Sequence, residues 1–340
     1  MFSKLPYLSQ TPVTIEYTPN SVLKSPHIPV PFQTINSRGR YSTCTDVSWF
    51  NNDQNLAVMN FATESLYIYQ FDAQKHTLTL KQTLTNNDGM QLSWPDKLAF
   101  SPDGLYLAIT NILSRSINMY SIVPHTKLIN PVPIQIIKHP NSIFFHGVAF
   151  STTSKYIVST TIDHDGFILI NKIEHDSNGA LRLIPTQIVP NNYLPFKPKS
   201  INFSNDGSLM IICYSLNANS KESLDCYGAI AIYAFDNVTG TLSQQPVCEL
   251  VGHSELCTLD DIIFSNDPLS SLIIAPTQGN DTIVFYSFDK KSNKIDPNFF
   301  TFTNPEAKIS FPHGISLSSD NKYLALSNYG DDKVTIYSLI

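Results

Sequence analysis

The sequence predicts an all-β chain folded as a six-bladed β-propeller of four-stranded antiparallel blades. Three observations carry this: a phrase that recurs six times, the constancy of its spacing, and the incompleteness of its last copy. The phrase is an aromatic residue, a polar turn, an apolar run, a second turn and an alternating strand. AFSPDGLYLAITN followed by SINMYSI shows it most clearly. Period-two alternation marks half-buried strands, and Ser-Pro-Asp-Gly with its variants supplies the turn chemistry. A polar connection and an edge-like strand that tolerates proline follow, as in PVPIQIIKH and LRLIPTQIV.

Phe50, Phe100, Phe150, Phe203, Phe264 and Leu317 anchor the first strands, and Tyr69, Tyr120, Asn171, Tyr233, Tyr286 and Tyr337 the third. From each third-strand anchor to the next first-strand anchor the chain runs 31, 30, 32, 31 and 31 residues. Blades therefore start near residues 45, 95, 145, 198, 259 and 312. Only three residues follow Tyr337, so the last blade lacks a fourth strand. The segment at about 27–36, containing HIPVPFQTI, has the character to supply it and close the ring without an exposed edge. The expected organisation is an arm at 1–21 and one propeller domain at 22–340.

Composition narrows the function classes. Hydrophobic residues make up 42% and charged residues 15%, which suits a large core. The formal net charge is −6 and no run of Lys or Arg supplies a basic face, so a nucleic-acid partner is not expected. No apolar run approaches the length of a membrane span, so no membrane partner is expected either. The beginning of the chain lacks the apolar core of a secretory signal. With five cysteines and no CxxC pair, free thiols and a cytoplasmic location are expected. GxSxG, GxxxxGK[ST], HExxH and GxGxxG are all absent.

The phrases FPHGISLSSDNKYLALSNYGDDKVTIYSL and FHGVAFSTTSKYIVST resemble the repeats of lactonase-type, or YVTN-type, propellers, and the resemblance covers residues 40–340 as repeat grammar. That family includes 6-phosphogluconolactonases and a fungal muconate cycloisomerase, mostly with seven blades. The resemblance implies lactone chemistry that uses a His, an Arg and a Glu around the channel. Carried over by anchor offset, the His falls on His146. Lys199 stands at the Arg position and Ser215 at the Glu position. Lys does not replace Arg where a carboxylate must be gripped bidentately.

Four residues before each anchor stand Asp46, Asp96, His146, Lys199, Asp260 and His313, all polar and all expected at the channel mouth. Three readings of this ring stay open. It ties loops to neighbouring backbone. It holds a ligand, with His146 and His313 for acid–base work and Lys199 as a cation. Or its Asp and His residues hold a divalent cation. Trp94 is expected at the rim and Arg40 in the loop entering the first blade. Blade four carries about ten extra residues around 216–227 on the same face. The leading expectation is a module binding a small molecule or a protein partner at the mouth. A lactone hydrolase or cycloisomerase built on His146, Lys199 and His313 is the alternative.

Overall fold

A computed structural model describes residues 30–36, 43–141, 143–216, 227–266, 271–303 and 309–339. The arm at 1–21, Arg40 and most of the blade-four insertion lie outside these residues. The described residues are all-β, apart from two three-residue 3-10 turns. No helix among them is long and apolar enough to cross a membrane.

Six antiparallel sheets form the blades. From the channel outward, blade 1 is Cys44–Phe50, Asn55–Asn60, Ser65–Asp72 and Thr77–Thr85. Blade 2 is Pro95–Phe100, Tyr106–Asn111, Ser116–Ser121 and Gln135–Lys138. Blade 3 is Phe145–Phe150, Tyr156–Thr161, Phe167–His175 and Leu181–Pro190. Blade 4 is Lys197–Phe203, Leu209–Ser215 and Gly228–Asp236, with Thr241–Leu242 and Cys248–His253 both paired to its third strand. Blade 5 is Ile263–Phe264, Ser271–Thr277, Thr282–Asp289 and Lys294–Phe302. Blade 6 is Pro312–Leu317, Tyr323–Asn328 and Lys333–Ser338, with Val30–Asn36 antiparallel to the last of these. Innermost strands touch in the order 1-2-3-4-5-6-1, so the ring is continuous around the channel.

The second strands are buried on both faces, which explains runs such as YLAIT. Alternation then decides which neighbour each residue meets. Leu107 and Ile109 pack toward blade 1, whereas Ala108 packs toward blade 3. The core is accordingly six apolar clusters, one in each gap between adjacent blades. A propeller of this size has no central apolar core, so its axis is free to carry polar groups.

Cys213 and Cys248 carry free thiols, but Cys257 is disulfide-bonded, with its partner outside the described residues. This corrects the expectation of free thiols. Spacing along the chain does not reveal cysteines that folding brings together, and the cysteine argument for a reducing compartment falls with it.

Candidate functional site

Each innermost strand bulges where it enters the channel, so that two residues crowd opposite one on the second strand. In blade 2, Pro95 pairs with Asn111 and Leu98 with Ile109, which leaves Asp96 and Lys97 in the bulge. The same shift places His146 and Gly147 in blade 3, Lys199 and Ser200 in blade 4, and His313 and Gly314 in blade 6. In blade 5 the pairs Leu259–Thr277 and Ile263–Ile274 leave Asp260, Asp261 and Ile262 opposite two residues, again one extra on the inner strand. A bulge re-aims its side chains and is a recurrent device beside functional sites.

Blade 1 corrects the expected alignment. Cys44 pairs with Asn60 and Val47 with Val58, so its bulge is Thr45 and Asp46. Asp46 therefore corresponds to Lys97 and not to Asp96; Thr45 takes the first position. The cause is the adjacent aromatic pair Trp49-Phe50, of which the first is the anchor, since the two hairpins are equally long. Phe50 pairs directly with Asn55, whereas blade 2 places Ser101 there, making Trp49 the counterpart of Phe100.

The first bulge residues of blades 2, 3, 5 and 6 meet as an alternating ring. His146 Nε2 lies 3.3 Å from Asp96 Oδ2 and 3.3 Å from Asp260 Oδ1. Across the channel, His313 Nδ1 lies 3.0 Å from Asp260 Oδ2 and its Nε2 3.6 Å from Asp96 Oδ1. All four side chains are buried. His146 Nδ1 has no hydrogen-bond partner.

Beneath this ring Lys97 spans the channel. Its Nζ lies 3.0 Å from Asp260 Oδ2 and 3.5 Å from Asp261 Oδ2, and it donates to the His313 carbonyl at 3.1 Å. Asp46 and Asp261 play matching parts on the two sides. Asp46 accepts from Val47 N–H at 2.9 Å and, in the next blade, Leu98 N–H at 2.8 Å. Asp261 accepts from Ile262 N–H at 2.8 Å and Ile315 N–H at 3.0 Å. Opposite charged residues the second bulge position is small. A Cβ on Gly314 would lie 2.3 Å from Asp46 Oδ1.

Burial penalises the Lys97 ammonium, but Asp261, Asp260, Asp46 and Asp96 outweigh it and hold its pKa well above the ordinary lysine value. Burial likewise opposes ionisation of Asp260, yet His313, Lys97 and His146 keep its carboxyl well below the usual range. Asp46 is pushed up, by burial first and Asp261 second. Burial lowers His313 below its usual 6.5. The unfolded chain then binds a proton near pH 6.5 that the native state refuses, so stability falls as pH drops through that window. His313→Gln lacks this penalty. The stability gap between wild type and His313→Gln, read by urea unfolding, is expected to narrow from pH 7.5 to 5.5. A gap that widens on acidification would show that native His313 gains the proton instead.

Lys199 differs from every other charged residue of the bulges. It is 8% exposed, and its ammonium has no hydrogen-bond or ion-pair partner among the described residues. Ser215, at the Glu position of the resemblance, is fully buried at the end of its strand with Oγ unpartnered. Among the described residues no group of His, Cys, Asp and Glu is arranged to hold a metal ion. The divalent-cation reading finds no donor set among the described residues, and the Lys97 ammonium stands within 3.5 Å of Asp260 and Asp261.

Over blades 6, 1 and 2 the mouth is aromatic. Tyr329 stacks on His313 with centroids 5.6 Å apart and planes 25° apart. Phe311 lies 5.9 Å from Tyr329, Phe61 lies 6.4 Å from it, and Trp94 lies 5.3 Å from Phe61. Trp94 and Phe311 are built alike. Each precedes a proline that starts its blade, and each has a left-handed backbone, φ +52° and +46°. Each N–H is held by an acid from the preceding blade, Glu64 Oε1 at 3.1 Å and Asp281 Oδ1 at 2.6 Å. Each side chain is left in solvent, 45% and 38% exposed. For bulky side chains that conformation costs about 1–2 kcal/mol apiece, and such strain clusters at functional sites.

The expected mouth residues thus divide. Asp96, His146, Asp260 and His313 come together; Lys199 holds the same bulge position in blade 4 without a charged partner among the described residues; Asp46 belongs to the layer below; Trp94 is at the rim; Arg40 lies outside the described residues. Lys97, Asp261, Phe61 and Phe311 were missed. The aromatic-proline pairs Trp94-Pro95 and Phe311-Pro312 were the signal available for the rim.

Residues 26–145, which include the first two blades, match the family described as "Lactonase, 7-bladed beta-propeller". Over these residues the chain resembles lactonase-type propellers. It has six blades where the family description has seven. No curated protein matches this propeller. Among solved structures, it is similar to Kuenenia stuttgartiensis hydrazine synthase at TM-score 0.57 and 16% identity, over 95% of this chain and 80% of that one. It is also similar to a putative 6-phosphogluconolactonase from Bacteroides uniformis, at TM-score 0.54 and 16% identity, over 74% and 69%. At that identity both similarities speak to the propeller fold of this chain and not to its chemistry.

Proposed function

We propose that this propeller is a binding module whose channel mouth captures a small organic acid through Lys199. The observation that carries the reading is that, among the described residues, the Lys199 ammonium has no partner in a ring where the other cations are matched by carboxylates. An ammonium on a side chain that is mostly buried has lost part of its hydration, and an anionic ligand compensates that loss. Carboxylates are expected to raise the melting temperature of the wild type in a thermal-shift assay and to leave Lys199→Met unmoved. Lys199→Met without ligand is expected to be as stable as wild type or about 1 kcal/mol more stable. Equal shifts in both proteins would overturn the reading.

The lactonase similarity and the unpartnered His146 Nδ1 support a second reading, hydrolysis or isomerisation of a lactone. It is the weaker one. The acid of the family pattern is Ser215 here, and Asp96 and Asp260 are committed to the histidines. Proton release on adding gluconolactone, lost in His146→Ala, would reverse that preference.

A further inference from the structure

The acid reading leaves one feature of the mouth unused, the aromatic arc of Tyr329, Phe311, Phe61 and Trp94. We infer that the ligand's body is aromatic or similarly flat and apolar, with its acid end on Lys199 and its ring against this arc; the inference rests on the acid reading above. Three features argue for it. The arc is continuous from the channel outward, because Tyr329 stacks on His313 and the other rings follow at 5.3–6.4 Å. It lies on blades 6, 1 and 2, whereas Lys199 is on blade 4, so cation and arc flank the same four-residue ring. Trp94 and Phe311 are held open to solvent by the same left-handed turn and the same acid-to-backbone hydrogen bond, in two blades that flank blade 1. Two equivalent strained aromatics kept out of the core are a binding surface and not a wedge. Aromatic side chains stack on flat apolar groups at low entropic cost, and the lone ammonium supplies the charge that orients the ligand.

The test compares 3-phenylpropionate with propionate on the full chain by isothermal titration, with 3-phenylpropanamide as the uncharged analogue. Phenylpropionate is expected to bind at least ten-fold tighter than propionate, and the amide at least ten-fold weaker than the phenyl acid. The ratio between the two acids is expected to collapse toward one in Trp94→Ser and in Phe311→Ser, whose exposed positions leave the core intact. If both acids bind equally, and both lose binding in Lys199→Met, the aromatic inference is overturned and the acid reading stands. A ratio that survives in both serine variants also overturns the inference. If neither acid binds the wild type, the two readings fall together.

Discussion

Lys97→Met is expected to destabilise the protein by about 3–5 kcal/mol, the range for removing one partner of a buried ion pair. Lys97 is 2% exposed, and among the described residues its ammonium is the one lysine charge inside a group of four aspartates contributed by blades 1, 2 and 5. Without it Asp260 and Asp261 lose the cation within 3.5 Å that compensates their burial, and the His313 carbonyl loses its donor. The loss falls on contacts between blades far apart in the chain, so urea unfolding should show a lower midpoint with little change of slope. Part of the stability is expected to return when Asp261→Asn is added, because one uncompensated charge goes. Because burial is outweighed by the four aspartates, Lys97 is held protonated above its ordinary value. Its contribution is therefore complete below about pH 10.5 and lost as pH rises beyond it. A Lys97→Met protein as stable as wild type at pH 7 would mean that the axis is hydrated enough to carry those charges unaided.

Gly147→Ala is the second large effect. A Cβ there would lie 2.2 Å from the Lys199 carbonyl oxygen, 2.9 Å from Thr160 Oγ1 and 3.0 Å from Ser200 Cα. Two of these are backbone atoms of the next blade, so relief requires blades 3 and 4 to part. A loss of roughly 1–3 kcal/mol is expected for such overpacking. The same seam is bridged by Thr160, whose hydroxyl accepts from Gly147 N–H at 2.8 Å and donates to the Lys199 carbonyl at 2.5 Å. Disturbing it moves Lys199, so carboxylate binding should weaken along with stability. Retained stability with retained binding in Gly147→Ala would contradict the close approach of the two blades.

How much of this was legible can be judged residue by residue. Asp96, His146, Asp260 and His313 were found by counting back from the strand anchors, because the distance from turn to channel is local and nearly constant. Asp46 sits one position away from the expected register because two aromatics, Trp49 and Phe50, stand side by side in blade 1, and only pairing reveals that Trp49 is the counterpart of Phe100. Lys97 and Asp261 were passed over because they follow a polar residue, and period-two reasoning aims neighbours to opposite sides. A bulge breaks that period and sends both residues into the channel.

The sequence alone determined the blade count and the polar character of the mouth, since strand alternation and turn chemistry act over short stretches and recur with each repeat. Only the tertiary structure decided which charges are matched. Lys97 finds aspartates from blade 5 and Lys199 finds no carboxylate among the described residues, because partners arrive from residues more than a hundred positions away. Charge pairing is a property of the closed ring, and a single repeat carries no record of what stands across the channel from it.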